Sequence, residues 1–300
     1  CTITYDSLFK TTEEAFSGFS DLQSLTITAA SIELTQYSFQ GVPIGSIVLK
    51  ATRSTITFGQ NSLRQSNIES LEIESYGNIY FNTRSFQQCE NMKTLKVIST
   101  TGYVSLSTPT FVQSDIENVN IQAQRSITFN TESFQQVTSI KEMHLSSQSD
   151  MIFSISAFDN CSIDTLFVES GGFPQFKEKS FKQIRIRNFT VVADRGISFE
   201  ESAFNHSSIA TVTVISKTEY ISFGHHSFER CQNLTSLTAK APDAISFFDF
   251  SFTLSDVEFV DISAYEGEEN SKLLANSGTN IIGIKNGAFQ LCSNLKTVSI

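Results

Sequence analysis

Apolar residues in this chain come in two short bursts that recur about every two dozen residues. The first burst has the form L-x-x-L-x-I, as in Leu22-x-x-Leu25-x-Ile27, Ile68-x-x-Leu71-x-Ile73, Ile116-x-x-Val119-x-Ile121 and Val257-x-x-Val260-x-Ile262. Its last three residues alternate, which predicts a short strand with one buried face. A second alternating triplet follows, as in Ile56-x-Phe58, Ile79-x-Phe81, Ile127-x-Phe129, Ile197-x-Phe199, Ile221-x-Phe223 and Ile245-x-Phe247. Five residues beyond its second apolar member stands a Phe preceded by a small residue. That anchor opens a polar segment such as SFQQCEN or AFNHSS, long enough for one helical or 3₁₀ corner turn.

The anchors are Phe16, Phe39, Phe86, Phe111, Phe134, Phe158, Phe181, Phe204, Phe228, Phe252 and Phe289, with Leu63 filling the gap. Successive spacings are 23, 24, 23, 25, 23, 24, 23, 23, 24, 24 and 37 residues. Regularity at this period marks a repeat array. A unit of this size cannot bury its apolar face alone but can do so against identical neighbours. The predicted fold is therefore mainly β, a solenoid of about twelve coils with parallel β-sheets and short corner turns. At a coil spacing of roughly 4.7–4.9 Å the stack would be about 55 Å long. Residues 1–300 read as one such solenoid. The chain opens and closes inside strand patterns without polar caps, so it is expected to be a fragment of a longer protein. The 37-residue interval predicts a loop insertion at 264–279, made acidic by Glu266, Glu268 and Glu269. It reads either as a solvated loop or as a partner-specific flap.

This period accounts for most of the aromatic content. Of 27 Phe, eleven fall in the anchor column and eight in the second-triplet column. Stacked rings in an interior file, rather than a ligand box, are the expectation even for the dense stretch ISFFDFSF, where Phe248 and Phe250 are the only local surplus outside the columns.

The formal net charge of −10 argues against a nucleic-acid surface, which needs clustered Lys and Arg. No window approaches the ~20 apolar residues of a membrane-spanning helix, so no membrane span is expected in this segment. Cys89, Cys161, Cys231 and Cys292 each stand three residues past an anchor, where other coils place Val42, Ser66, Ser114, Val137, Ser207 or Ser255. Cys231 and Cys292 are two coils apart, beyond the reach of about 7 Å that a disulfide allows. All four are expected to be free thiols acting as small hydrophobes, and Cys1, aligned with Leu25, to be a core position. Four N-x-S/T sequons, at Asn160, Asn188, Asn205 and Asn233, match chance expectation; Asn188 falls on a strand face and the others in corners. His144, His206, His225 and His226 share no column, and no metal, cofactor or catalytic motif occurs. An array spreads its side chains along lines, whereas an enzyme cleft needs them to converge. The expected activity is therefore non-catalytic.

The tandem of L-x-x-L-x-I, an apolar triplet and A/S-F-x-x-C resembles the BspA-like leucine-rich repeats, the Treponema pallidum type. The match is closest in IIGIKNGAFQLCSNLKTVSI (281–300), then in SFERCQNLTSL and SFQQCENMKTL. Ile-x-Phe mostly replaces the family's Ile-Gly, and four coils keep the Cys. The resemblance implies a surface protein of protists or bacteria, with a recognition or adhesion role. Its ligand would be a protein, such as a host, neighbouring-cell or matrix protein, held on the concave strand face. An intracellular scaffold is the alternative, which unpaired thiols also suit.

On that face the outward residue between the two apolar positions forms a column of its own: Thr26, Val48, Glu72, Lys96, Asn120, His144, Phe167, Thr190, Thr213, Thr238, Asp261 and Ser299. It is most varied from Glu72 to Phe167. Glu72, Lys96, Asn120, His144 and Phe167 are thus the candidate partner-binding residues, with Glu74, Asn118, Gln122, Glu142 and Glu169 beside them. Drift on a solvated sheet face explains the variation equally well. The outward column of the second triplet, rich in Thr57, Thr128, Ser198, Ser222 and Ser246, is the ordinary composition of an exposed pleat. An ice-ordering role is the alternative, but Tyr80, Ile152 and Gln175 interrupt it.

Overall fold

A computed structural model describes residues 1–20, 22–264 and 281–300. In it the two apolar bursts become two kinds of strand. Long strands such as Asn67–Ser75, Met92–Ser99, Ile116–Ala123 and Ile140–Ser147 alternate with three-residue strands such as Ile79–Phe81, Val104–Leu106 and Ile127–Phe129. Each pairs in parallel with its counterpart one coil away, so that Leu71 meets Leu95 and Phe129 meets Phe153. The result is a parallel β-solenoid of about eleven turns on twelve anchors. The ladder spans the long interval: Val260 pairs with Val298 and Ile245 with Ile282. The expected loop insertion at 264–279 lies, apart from the strand-end residue Ala264, outside the described residues.

Phenylalanine fills the interior in two files. Anchor rings stack at 5.1 Å for Phe134–Phe158, 4.6 Å for Phe158–Phe181 and 4.8 Å for Phe181–Phe204. Short-strand rings stack likewise, at 4.7 Å for both Phe153–Phe176 and Phe176–Phe199. The files meet edge to face, as where Phe153 approaches Phe181 at 5.2 Å. Offset stacking along a file and tilted contact between files both suit the ring quadrupole, adding ~0.5–1.5 kcal/mol per pair beyond burial. Phe248 and Phe250 stay outside both files, against His225 and His226.

The corners differ from expectation: the described residues contain no α- or 3₁₀-helix. Around Leu63, Ser62 N–H bonds to Gly59, Arg64 N–H to Asn61 and Ser66 N–H to Leu63, each across three residues. The residues two before and two after the anchor are left-handed, with φ of 53° at Asn61 and 59° at Gln65. The same pairing recurs at Arg84 and Gln88, Glu132 and Gln136, Ser156 and Asn160, and His226 and Arg230. A left-handed residue stops a right-handed helix. In exchange, the anchor N–H turns toward the adjacent coil, as where Phe158 N–H donates to Ser180 O at 2.8 Å and Phe204 N–H to Ser227 O at 2.7 Å. The corner is thus a further inter-coil ladder, which satisfies backbone groups that a helix would have used internally.

The cysteine reading also changes. All five thiols are free. Those in the anchor-plus-three column act as donors as well as small fillers: Cys89 Sγ–H points to Leu63 O at 3.1 Å, and Cys161 Sγ–H to Phe134 O at 2.7 Å. Ser66, Ser114 and Ser207 donate to the preceding anchor's carbonyl in the same way. Burial pushes the thiols of Cys89 and Cys161 up to about 12 and raises that of Cys231 further. Cys1 is exposed rather than core, because a coil packs against it on one side only.

Candidate functional site

Strand register places the whole candidate column in one row. Val48 pairs with Glu72, Glu72 with Lys96, Lys96 with Asn120, Asn120 with His144 and His144 with Phe167. The row continues through Thr190, Thr213, Thr238 and Asp261 to Ser299. Alternation along each strand fixes this arrangement: Leu71 and Ile73 face the phenylalanine files, so Glu72 between them must face out.

The five candidate side chains divide into a charged pair and a neutral group. Lys96 Nζ donates to Glu72 Oε1 at 2.6 Å, and this hydrogen-bonded carboxylate raises the lysine above its ordinary value. Lys50 likewise meets Glu74 at 2.9 Å. Asn120 Oδ1 is shielded from solvent and has no hydrogen-bond partner among the described residues. His144 lies against Phe167 with ring centroids 5.8 Å apart. Glu72, Lys96, Asn120 and His144 line a shallow, open depression of about 520 Å³ together with Ser70, Thr94, Asn118 and Glu142. Phe167 is outside its lining and joins it through His144. Ser70 and Thr94, linked by a 2.9 Å hydrogen bond, are site residues absent from the sequence reading. Their signal is the second x of each I-x-x-L.

A second depression of about 590 Å³ lies beside the corners, lined by Gln65, Asn67, Gln88, Glu90, Asn91, Gln113 and Ser66. Here the left-handed residue two past each anchor builds an amide ladder. Gln65 Nε2 donates to Gln88 Oε1 at 3.1 Å, Gln88 to Gln113 at 3.3 Å and Gln113 to Gln136 at 3.2 Å.

Among the described residues no cluster of three or more His, Cys, Asp or Glu could hold a metal ion. Among them, too, no helix is long and apolar enough to cross a membrane. The four sequon asparagines fall as expected, with Asn188 in the strand Arg185–Ala193 and Asn160 and Asn233 in left-handed turns.

Parallel coils, a leucine-type first strand and one varied strand face define a leucine-rich repeat solenoid. The model of the BspA type Leucine rich repeat region (6 copies) matches residues 2–108, 56–186, 104–235, 152–278 and 198–300. The chain belongs to the BspA-type leucine-rich repeat family. No curated protein and no solved structure matches it. Repeats of this family point to protein–protein interaction, and solenoids of this kind are typically non-catalytic scaffolds.

Proposed function

We propose that the chain is a non-catalytic recognition module that holds a protein partner on the outward row Glu72, Lys96, Asn120, His144 and Phe167. The observation that carries this reading is the convergence of four of these on one depression, with the ring of the fifth tilted against His144 at its edge. Glu72 and Lys96 neutralise each other, so recognition falls on Asn120, His144 and Phe167. A partner would meet the half-buried Asn120 and the exposed His144 side chains and lay an apolar or aromatic side chain over the Phe167 ring. This is the usual composition of a binding patch: an aromatic anchor beside a polar group that fixes orientation. The test is the triple variant Asn120→Ala, His144→Ala and Phe167→Ala, assayed against immobilised extracellular matrix and cell-surface proteins. Lost binding with an unchanged circular dichroism spectrum is expected; unchanged binding removes the row from contention.

Display at the cell surface, in an adhesive role, is the companion reading. Unpaired thiols favour instead an intracellular scaffold, but their burial weakens that argument. Cys89, Cys161 and Cys231 are covered and have raised proton affinity, which protects them from oxidation. Protease shaving of intact cells separates the two: a surface module is cleaved, whereas a scaffold survives until lysis.

A further inference from the structure

The first x of each I-x-x-L forms a row on the long-strand edge whose charge alternates through six consecutive coils: Glu69, Lys93, Glu117, Lys141, Asp164 and Arg187. Register puts them side by side, since their following residues Ser70, Thr94, Asn118, Glu142, Thr165 and Asn188 are paired in series. Within the chain they form three exposed dyads: Lys93–Glu69 at 3.2 Å, Lys141–Glu117 at 2.6 Å and Arg187–Asp164 at 3.8 Å. The strip carries no net charge in a chain of −10.

An even-numbered alternating strip has a symmetry property. Turned by a two-fold axis between Glu117 and Lys141, it places Arg187 of a second copy opposite Glu69, Asp164 opposite Lys93 and Lys141 opposite Glu117. All six positions then face an opposite charge, and both strips share the coil pitch, so the match holds along the full length. A parallel, in-register copy would oppose like charges throughout. A parallel copy shifted by one coil would leave an unmatched charge at each end and would not close. Elsewhere the net negative charge repels a second copy. The geometry points to a two-fold, antiparallel homodimer formed along this strip.

Five coil intervals make the strip about 24 Å long, so the contact is small and the association weak. Its attraction is between exposed charges and declines as salt rises. This inference is independent of the partner-binding row.

Sedimentation equilibrium of the whole chain tests it. At low salt a dimer is expected that grows with concentration and dissociates on raising the salt. Lys93→Glu reverses two symmetry-related contacts and should weaken the dimer by about tenfold or more. The double swap Glu117→Lys and Lys141→Glu exchanges charges across the axis. It keeps the three dyads within each chain but puts like charges side by side at 93/117 and 141/164, and it keeps every contact between copies complementary, so the dimer persists. The all-acidic strip (K93E, K141E, R187E) and the all-basic strip (E69K, E117K, D164K) should each be monomeric alone and dimeric when mixed. A wild-type chain that stays monomeric at low salt up to its solubility limit overturns the proposal. So does a dimer that Lys93→Glu leaves intact, or one that the double swap abolishes while the strand spectrum is preserved.

Discussion

Two columns of small side chains flank the anchor file, one residue before it and three after, and their chemistry differs. Both are buried. Ser38, Ser62, Ser85, Ser133, Ser180, Ser227 and Ser251, in the column before, have hydroxyls without a partner among the described residues. Alanine takes the same place at Ala157, Ala203 and Ala288. In the column after, Ser66, Ser114, Ser207, Cys89, Cys161, Cys231 and Cys292 donate to the preceding anchor's carbonyl. Where serine or alanine stands in the first column size alone is selected; in the second, serine and cysteine add a hydrogen bond, while Val42 and Val137 fill the place by size alone. The outward row of the long strands has neither constraint, which leaves its residues free to serve a partner.

The anchor between the two columns sets the scale. Phe158, stacked between Phe134 and Phe181, should cost about 3–5 kcal/mol when replaced by Ala, read from denaturant unfolding. Alkali tests the donor column next. Cys89 and Cys161 have folded values raised from 9.0 to about 12, so the folded chain holds these protons more tightly than the unfolded chain. The thiols' contribution to stability is complete below pH 9.0 and falls as pH rises toward about 12, a loss that Cys89→Ser should reduce in a pH series of unfolding midpoints. Ser114→Ala should cost about 1–3 kcal/mol, because the hydroxyl accepts from the buried Cys89 amide as well as donating to Phe86. Ser85→Ala, across the anchor, should leave stability unchanged or slightly raised, within about 0.5 kcal/mol. Equal losses at Ser114 and Ser85 would erase the distinction between the columns.

The period, both strands and both phenylalanine files were legible in the sequence, because burial on one face imposes alternation wherever a coil stacks on a coil. The corner conformation was not. Its left-handed residues include Arg84, Glu132, Lys179 and Phe250, types with no preference for positive φ, and among the described residues glycine marks such a site only at Gly18, Gly41 and Gly287. Their backbone state is set by inter-coil hydrogen bonds that no local pattern encodes. The candidate row was legible as a column, but the depression, the Lys96–Glu72 pair and the unpaired Asn120 oxygen depend on where side chains point. The charge strip is written in the sequence at a fixed offset from each long strand. Its meaning emerges only from the register, which turns residues 24 apart into neighbours.

The central claim is that each anchor-to-anchor segment is one interchangeable coil. Deleting residues 134–157, which joins Ser133 to Phe158, removes one complete period of 24 residues and preserves both files. That chain should fold with the same strand signal per residue and unfold cooperatively at slightly lower denaturant, whereas deleting only residues 134–145 should abolish folding. Loss of folding in the full-period deletion, or survival of the half-period one, would contradict the account.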